Sequence, residues 1–415
     1  MHILGILQVM LGTLLVLASL YIILFSTSQP GSSVDSDATN FTRGISNHFH
    51  WNHNESNLTA SVNSDATNFI SGIPNLFHWN HHESNLTAFQ IESPDVYSTL
   101  PDHFLDNYKS FCWYDKTDDS QLLCLPKVYL AGFAKCGSTE LFQKLRCHPQ
   151  ITSKMKEYKW WTSKRLPSYE NSFREPFSTY LTKLGPKEVN KDSVLIDGSP
   201  TLSWHQILWK NRYPLLEDPP FYYEDVIHSV TPAVKILMIL RDPTERLWSD
   251  YLAFNQKRET VSAGEFDVLV RIQIEVLANC LKRKSLRSCC DDPEISYRNR
   301  AVVVLNQGIY ICFVREWKEK FGDQMKVVRL EDYSENPISV LQDIFKFLDI
   351  SPLTRDIIAG YISSSKPANT RRDEALDKGD MLPSTRKLLK TFYGIFNKEL
   401  SKFLEDDRFL YGLLH

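Results

Sequence analysis

The sequence predicts an α/β fold with a central, mainly parallel sheet and helices on both faces. Three observations predict it: short apolar runs typical of buried strands, helical patterns after several of them, and a glycine-framed loop directly behind the first run. The expected strands are Val128–Phe133, Val194–Asp197, Val234–Leu240 and Met325–Leu330. The expected helices are Thr139–Arg146, Thr244–Asn255, Pro337–Leu348 and Ser384–Leu404.

The N-terminus predicts a membrane anchor. Residues Ile3 to Phe25 carry no charge, and these 23 residues reach about 34 Å as a helix, enough to span a bilayer. A cleaved signal peptide is the competing interpretation, but its apolar core is usually only about 7–15 residues long. We therefore expect a cytoplasmic tip at residues 1–2, a signal anchor at residues 3–25, and everything that follows in a secretory lumen.

Residues 26–105 are expected to form a glycosylated, disordered stem. Four N-glycosylation sequons begin at Asn40, Asn54, Asn57 and Asn85, all before residue 90. The segment also contains a tandem duplication, in which residues 36–41 recur at 64–69 with an offset of 28 residues. Its richness in Asn, Ser, Thr and His predicts a spacer without a packed core, and the duplication accounts for its histidines without a metal-binding role.

Composition excludes some partners and leaves cysteine pairing open. The net charge of −3 provides no global field that would attract nucleic acid. Eight cysteines in a lumenal protein are compatible with disulfides. Cys112 with Cys124, and Cys280 with either Cys289 or Cys290, would close short loops. We see no His or Cys spacing that predicts a metal site, and the expected chemistry needs no metal.

The loop from Gly132 to Thr139 reads G-F-A-K-C-G-S-T and follows the first strand. In the nucleotide-triphosphate P-loop a lysine follows the second glycine, whereas here Ser138 takes that place and Lys135 lies inside the loop. Backbone N–H groups at the start of the next helix can still bind an anion. The loop therefore predicts a phosphate-bearing ligand other than ATP bound in the P-loop manner; the alternative is a tight strand-to-helix turn.

A second anion-binding element is expected where the strand Val234–Leu240 ends. Asp242, Pro243 and Glu245 form a capping-box arrangement at the start of the next helix. Arg241 precedes them at the carboxyl end of a buried strand, where a guanidinium can clamp a phosphate. Ser249, two turns into the helix, can add a hydroxyl. The alternatives are a structural ion pair for Arg241 and a solvated helix face for Ser249.

Two separate phosphate elements predict a ligand with phosphates at both ends, as in 3′-phosphoadenosine 5′-phosphosulfate. The loop A-K-C-G-S-T, the run R-D-P-x-x-R-x-x-S-x-Y and the later L-E-D-Y-S-E-N-P resemble the Golgi carbohydrate sulfotransferases. The sequence is most similar to the N-acetylgalactosamine 4-sulfate 6-O-sulfotransferase group, over nearly all of residues 125–411. Ala134 and Ser138 stand where that group often has Pro and Thr.

This resemblance implies a P-loop-like sulfotransferase domain over residues 106–415 and a role for each matching residue. Arg241 and Ser249 would hold the 3′-phosphate, and Lys378 and Gly379 resemble a late loop that closes over the nucleotide. Cys136 is expected to be a free thiol with a packing role rather than a nucleophile. The residues implied to bind the 5′-phosphosulfate are Lys135, Cys136, Gly137, Ser138 and Thr139.

Sulfuryl transfer needs a cation at the leaving phosphate and a base for the acceptor hydroxyl. Lys135 can supply the charge, and the resemblance implies Glu157 as the base; a solvated glutamate is the alternative. His148, at the expected helix end before Pro149, is a rival base. Asp197 and Ser199 follow another strand and are expected near the acceptor site. Two neighbouring residues, Trp160 and Trp161, are candidates for stacking on sugar rings.

The sequence therefore predicts a single-pass type II Golgi enzyme that transfers a sulfuryl group to a glycosaminoglycan, most readily chondroitin or dermatan sulfate. A heparan-type sulfotransferase is the second enzymatic interpretation. A membrane-tethered glycan-binding protein without activity is the non-catalytic alternative, and an intact Lys135 and Arg241 argue against it. A nucleotide kinase is disfavoured because no lysine follows Gly137.

Overall fold

The computed structural model describes residues 66–79, 84–165, 174–185, 189–204, 209–255, 261–292, 295, 303–363 and 379–412. Two strands, β1 (Phe111–Tyr114) and β2 (Leu122–Leu125), form an antiparallel hairpin. Five further strands form one parallel sheet in the order β4-β5-β3-β6-β7. Their bounds are β3 Val128–Gly132, β4 Ile151–Thr152, β5 Val194–Asp197, β6 Lys235–Leu240 and β7 Met325–Arg329.

Helices connect and cover these strands. The α-helices are α1 Leu86–Glu92, α2 Pro94–Thr99, α3 Ser138–Leu145, α4 Phe177–Leu184, α5 Trp209–Arg212, α6 Tyr223–Val230, α7 Pro243–Phe254, α8 Ala263–Leu281, α9 Leu286–Asp291, α10 Ile311–Phe321, α11 Leu330–Glu335, α12 Pro337–Phe347, α13 Arg355–Ser363 and α14 Pro383–Leu404. A π-helix spans Trp160–Lys164, and 3₁₀ turns span Asn306–Gly308, Gly322–Gln324 and Asp407–Leu410.

The sheet is covered on both faces. Every residue of β3 and β5 is buried, and so are all residues of β6 after Lys235. Because successive side chains of a strand point to opposite faces, uninterrupted burial means that neither face meets solvent. The α/β class with a parallel sheet is thus confirmed, and each of the four expected strands and four expected helices lies within one residue of its expected bounds.

The two described disulfides decide the open question of cysteine pairing. Cys112 is bonded to Cys124 across the β1–β2 hairpin, and Cys280 is bonded to Cys289 rather than to Cys290. The thiols of Cys136, Cys290 and Cys312 are buried and free. Disulfides of this kind are typical of proteins of the secretory pathway.

The packed part of the chain begins earlier than residue 106. Phe89 and Val96 are fully buried, and Arg165 donates hydrogen bonds to Ser93 and Asp95. Ile70, in the second copy of the duplication, is also buried. The prediction of a disordered stem missed this packed segment because its few apolar residues are scattered among many polar ones.

The expected cytoplasmic tip and membrane anchor lie outside the described residues, as does most of the stem. Within the described part of the chain, no helix combines the length and the apolar character needed to cross a membrane.

Candidate active site

The loop after β3 is held in a conformation that only glycine adopts easily at one position. Gly137 has φ +84° and caps α3, and a Cβ atom there would lie 2.6 Å from Cδ1 of Leu330. Lys135 also has a positive φ, +64°, which is costly for a residue with a side chain and is concentrated at functional sites. Ser138 and Thr139 begin α3, so their N–H groups are available to an anion.

The turn after β6 meets this loop. Strands β3 and β6 are neighbours and parallel, so their carboxyl ends lie at the same edge of the sheet. Arg241 follows β6 directly, and its Nη1 donates a hydrogen bond to the backbone carbonyl of Lys135 at 3.3 Å. The two anion-binding elements expected from sequence are therefore in direct contact.

Only half of the expected capping box forms at the start of α7. The Asp242 side chain accepts a hydrogen bond from the N–H of Thr244 at 2.8 Å, which confirms the N-cap. The reciprocal half of the capping box is wrong: the N–H of Asp242 donates to Glu331 at 2.8 Å, and Glu245 pairs with Arg386. Glu331, which lies just after β7, therefore takes the place that the capping box gives to Glu245.

The segment after β7 contacts both the loop after β3 and the turn after β6, which the sequence did not reveal. Leu330 packs against Gly137, and Glu331 accepts the hydrogen bond from Asp242. The position of this segment in the chain could have predicted these contacts. Leu330 directly follows a strand of the same parallel sheet, at the edge where ligands bind.

Ser249 lies two turns into α7 and is half-buried. Its neighbour Asp250 is buried, with a carboxylate oxygen 3.5 Å from Nη1 of Arg246. Burial raises the pKa of Asp250, and the positive charges of Arg246 and Lys135 oppose this rise. The 3′-phosphate role of Ser249 stays a prediction.

Glu157 is placed by the end of β5. Its N–H donates to the carbonyl of Gly198 at 3.0 Å, while the N–H of Lys159 donates to Oγ of Ser199 at 3.0 Å. Asp197 in turn accepts hydrogen bonds from Ser199 at 2.6 Å and from a buried tyrosine at 2.8 Å. Asp197 and Ser199 therefore hold the Glu157 segment in place at the carboxyl edge of the sheet.

Two lysines flank the Glu157 carboxylate. Lys156 bonds to it directly, and Nζ of Lys159 lies 3.2 Å from Oε2. Burial alone would raise the pKa of Glu157, but the hydrogen bond and charge of Lys156, together with Lys159, lower it overall. Burial lowers the pKa of Lys156, and Lys159 and Lys135 lower it further against the effect of Glu157. Glu157 is thus an ionised carboxylate in a cationic cluster.

Comparison with known proteins identifies the family of this fold and site. Residues 125–391 match the family described as the sulfotransferase domain. The chain belongs to the sulfotransferase family. This match includes Lys135, Glu157 and Arg241, and it makes the protein an enzyme of a transferase class.

Two relatives and one solved structure illustrate what the chain is similar to. The sulfotransferase is 30% identical to mouse carbohydrate sulfotransferase 15 over 380 residues, which cover 76% of this chain and 67% of that protein. It is 24% identical to mouse bifunctional heparan sulfate N-deacetylase/N-sulfotransferase 4 over 294 residues, 68% of this chain and 30% of that protein. A solved sulfotransferase from Alicyclobacillus acidocaldarius aligns with a TM-score of 0.44 at 20% identity, covering 68% of this chain and 97% of the other.

Two alternative roles in this sulfotransferase are excluded by burial. The Nδ1 of His148 accepts from the N–H of Gln150, and its Nε2 donates to the carbonyl of Ser351 at 2.9 Å, so the ring is a packing element and no base. Trp160 and Trp161 are 0% and 1% exposed, so neither can stack on a sugar ring. Both side chains pack in the hydrophobic core.

The other predicted positions are described only in part. Gly379 is exposed with φ +72°, while Lys378 lies outside the described residues. Asn85 is exposed and caps α1, whereas Asn40, Asn54 and Asn57 lie outside the described residues.

Where the chain is described, no group of three or more His, Cys, Asp or Glu side chains could hold a metal ion.

Proposed function

We propose that this sulfotransferase moves a sulfuryl group from 3′-phosphoadenosine 5′-phosphosulfate to the 6-hydroxyl of N-acetylgalactosamine 4-sulfate in chondroitin or dermatan sulfate. The observation that carries the proposal is the hydrogen bond from Arg241 to the carbonyl of Lys135. It joins two anion-binding elements into one site that suits a ligand with phosphates at both ends. The similarity to carbohydrate sulfotransferase 15 supports a glycan as the acceptor.

In this proposal the loop after β3 binds the 5′-phosphosulfate. The N–H groups at the start of α3 and the ammonium of Lys135 neutralise the charge that develops on the phosphate as the sulfur–oxygen bond breaks. Arg241 and Ser249 bind the 3′-phosphate.

Glu157 accepts the proton of the acceptor hydroxyl while the hydroxyl oxygen attacks the sulfur. The new bond joins that oxygen to sulfur, and adenosine 3′,5′-bisphosphate leaves with the electrons of the broken bond. A lowered pKa keeps Glu157 ionised, as a proton acceptor must be, although it also reduces its basicity. Lys159, which is half-buried, contributes positive charge near a sulfated acceptor.

The proposal also places the catalytic domain in the Golgi lumen, on a single-pass type II membrane anchor at residues 3–25. The described disulfides, Cys112–Cys124 and Cys280–Cys289, support an oxidising compartment.

Labelled-sulfate transfer from the nucleotide donor to a panel of glycosaminoglycans tests the proposal. We expect transfer to chondroitin sulfate and dermatan sulfate bearing 4-sulfated N-acetylgalactosamine, with the label at the 6-position after disaccharide analysis. Transfer only to heparan sulfate or heparin would replace the acceptor assignment by the heparan type. Nucleotide binding without transfer to any member of the panel would favour a glycan-binding protein on an inactive scaffold.

A further inference from the structure

One buried side chain outside both anion-binding elements contacts each of them. Tyr310 lies just before α10 and is 0% exposed. Its ring packs edge-on against Phe133 of the loop, with ring centroids 5.0 Å apart. Its hydroxyl donates a hydrogen bond to the backbone carbonyl of Arg241 at 2.9 Å. Tyr310 thus spans the gap between the loop after β3 and the turn after β6.

The hydroxyl of Tyr310 is part of a closed hydrogen-bonded circuit. The thiol of Cys136 lies 3.4 Å from the tyrosine oxygen. Burial raises the pKa of the Cys136 thiol to about 11 and that of Tyr310 above its ordinary range, so both groups keep their protons. Since the tyrosine proton goes to the carbonyl of Arg241, the tyrosine oxygen can accept from the thiol, which also lies 3.7 Å from the carbonyl oxygen of Ala134. The Arg241 guanidinium closes the circuit by donating to the carbonyl of Lys135, next to Cys136.

We propose that Tyr310 is a positioning residue that sets the separation between the Lys135 loop and Arg241, and thereby tunes the site to a nucleotide carrying phosphates on both the 3′ and 5′ positions. A ligand with two charged ends gains from both sites together only if their separation is set beforehand. A ligand with one phosphate uses one site and does not depend on that separation. The inference rests on the proposed nucleotide site and adds to it a residue from a different part of the chain.

The substitution Tyr310→Phe removes the hydroxyl and leaves the ring against Phe133. Calorimetric titration of the full-length protein with adenosine 3′,5′-bisphosphate, adenosine 5′-monophosphate and adenosine 3′-monophosphate measures the effect. We expect the affinity for the bisphosphate to fall about fivefold, the loss typical of one hydrogen bond, and the affinity for each monophosphate to change less than twofold. The ratio of bisphosphate to monophosphate affinity is the decisive quantity, since general loosening of the fold would lower all three.

Thr231→Val is the matched control. Thr231 is also fully buried, and its hydroxyl donates to a backbone carbonyl, that of Ile227, at 3.2 Å. Thr231 lies before β6, at the sheet edge opposite to both anion-binding elements, so this variant should keep the affinity ratio of the unmodified protein. If Tyr310→Phe does not fold, Cys136→Ala breaks the same circuit from the loop side and should lower the ratio in the same direction.

The possible outcomes distinguish the positioning role of Tyr310 from the proposed nucleotide site on which it rests. An unchanged ratio in a folded Tyr310→Phe variant, or an equal loss for all three nucleotides, overturns the positioning role. Failure of the unmodified protein to bind adenosine 3′,5′-bisphosphate at all overturns the proposed nucleotide site instead.

Discussion

Nη1 of Arg241 lies 3.3 Å from the backbone carbonyl oxygen of Lys135 and donates a hydrogen bond to it. The two residues are separated by more than one hundred positions in the chain, yet they follow adjacent parallel strands and so meet at one edge of the sheet. This contact joins the loop after β3 to the turn after β6.

Replacing the loop lysine should abolish most of the activity. We expect Lys135→Ala to reduce the transfer rate about 10²- to 10³-fold, because in the proposed mechanism the leaving phosphate loses a positioned cation. Lys127→Ala is the control, since Lys127 precedes β3 at its opposite end and its Nζ bonds the carbonyl of Ala233. Normal transfer by Lys135→Ala in the labelled-sulfate assay would contradict the mechanism.

Removing the carboxylate charge of Glu157 should affect chemistry rather than nucleotide binding. We expect Glu157→Gln to lower kcat about 10²- to 10⁴-fold while the dissociation constant for adenosine 3′,5′-bisphosphate stays within twofold. Glu319→Gln, which also removes an ion-paired carboxylate but on α10, should behave like the unmodified enzyme. A fully active Glu157→Gln would remove the base assignment and leave the Lys135 site intact.

The acidic limb of the pH profile should reflect the lowered pKa of Glu157. Since Lys156 and Lys159 stabilise the charged form, this carboxylate stays ionised below the ordinary glutamate pKa of 4.5. The rate should therefore show no loss attributable to Glu157 between pH 5 and pH 8. Lys159→Ala should move any acidic limb to higher pH, and a limb that does not move would count against Glu157 as the titrating base.

A buried ionic cluster should make the fold less stable as the pH rises. Arg287 lies 3.0 Å from a carboxylate oxygen of Asp291 and 3.6 Å from one of Glu224. Burial raises the pKa of Glu224 to about 8, against the lowering effect of Arg287. The folded state therefore holds a proton that the unfolded chain releases near pH 4.5, so stability declines between about pH 4.5 and pH 8.

Urea unfolding at pH 5.5 and pH 8.0, followed by tryptophan fluorescence, measures this decline. We expect the free energy of unfolding to fall by up to about 3 kcal/mol across that interval, and Glu224→Gln to flatten the dependence. Glu319→Gln should keep the slope of the unmodified protein. Parallel slopes for Glu224→Gln and the unmodified protein would show that Glu224 is not the titrating group.

A side chain at the second loop glycine should disrupt the site. Gly137→Ala combines φ +84° with a Cβ atom 2.6 Å from Leu330, so we expect a loss of about 1–3 kcal/mol in stability and weaker nucleotide binding. Gly360→Ala is the matched control, because nothing lies within 4 Å of a Cβ in that helix. There alanine should be neutral or stabilising. Leu330→Ala added to Gly137→Ala should recover part of the lost stability.

Sequence and structure agree best where the signal was local and strong. Strand β5 and the helix starting at Pro337 were predicted because an apolar run marks the one and a helical pattern the other. Strand β4 was missed because two residues at a sheet edge leave no periodic pattern. The capping box failed because Glu331, distant in sequence, outcompeted Glu245 for the N–H of Asp242.

By itself, the sequence determined the α/β class and the disulfide candidates and supplied the candidate phosphate-binding residues, since these depend on composition, short-range order and motif spacing. Only the tertiary structure decided that Arg241 contacts the Lys135 loop, that Ser199 carries the Glu157 segment, and that Tyr310 bridges the two anion-binding elements. Those contacts join residues far apart in the chain. The physical reason is the parallel sheet, which brings the carboxyl ends of separate strands to one edge and lets distant side chains complete each other's hydrogen bonds.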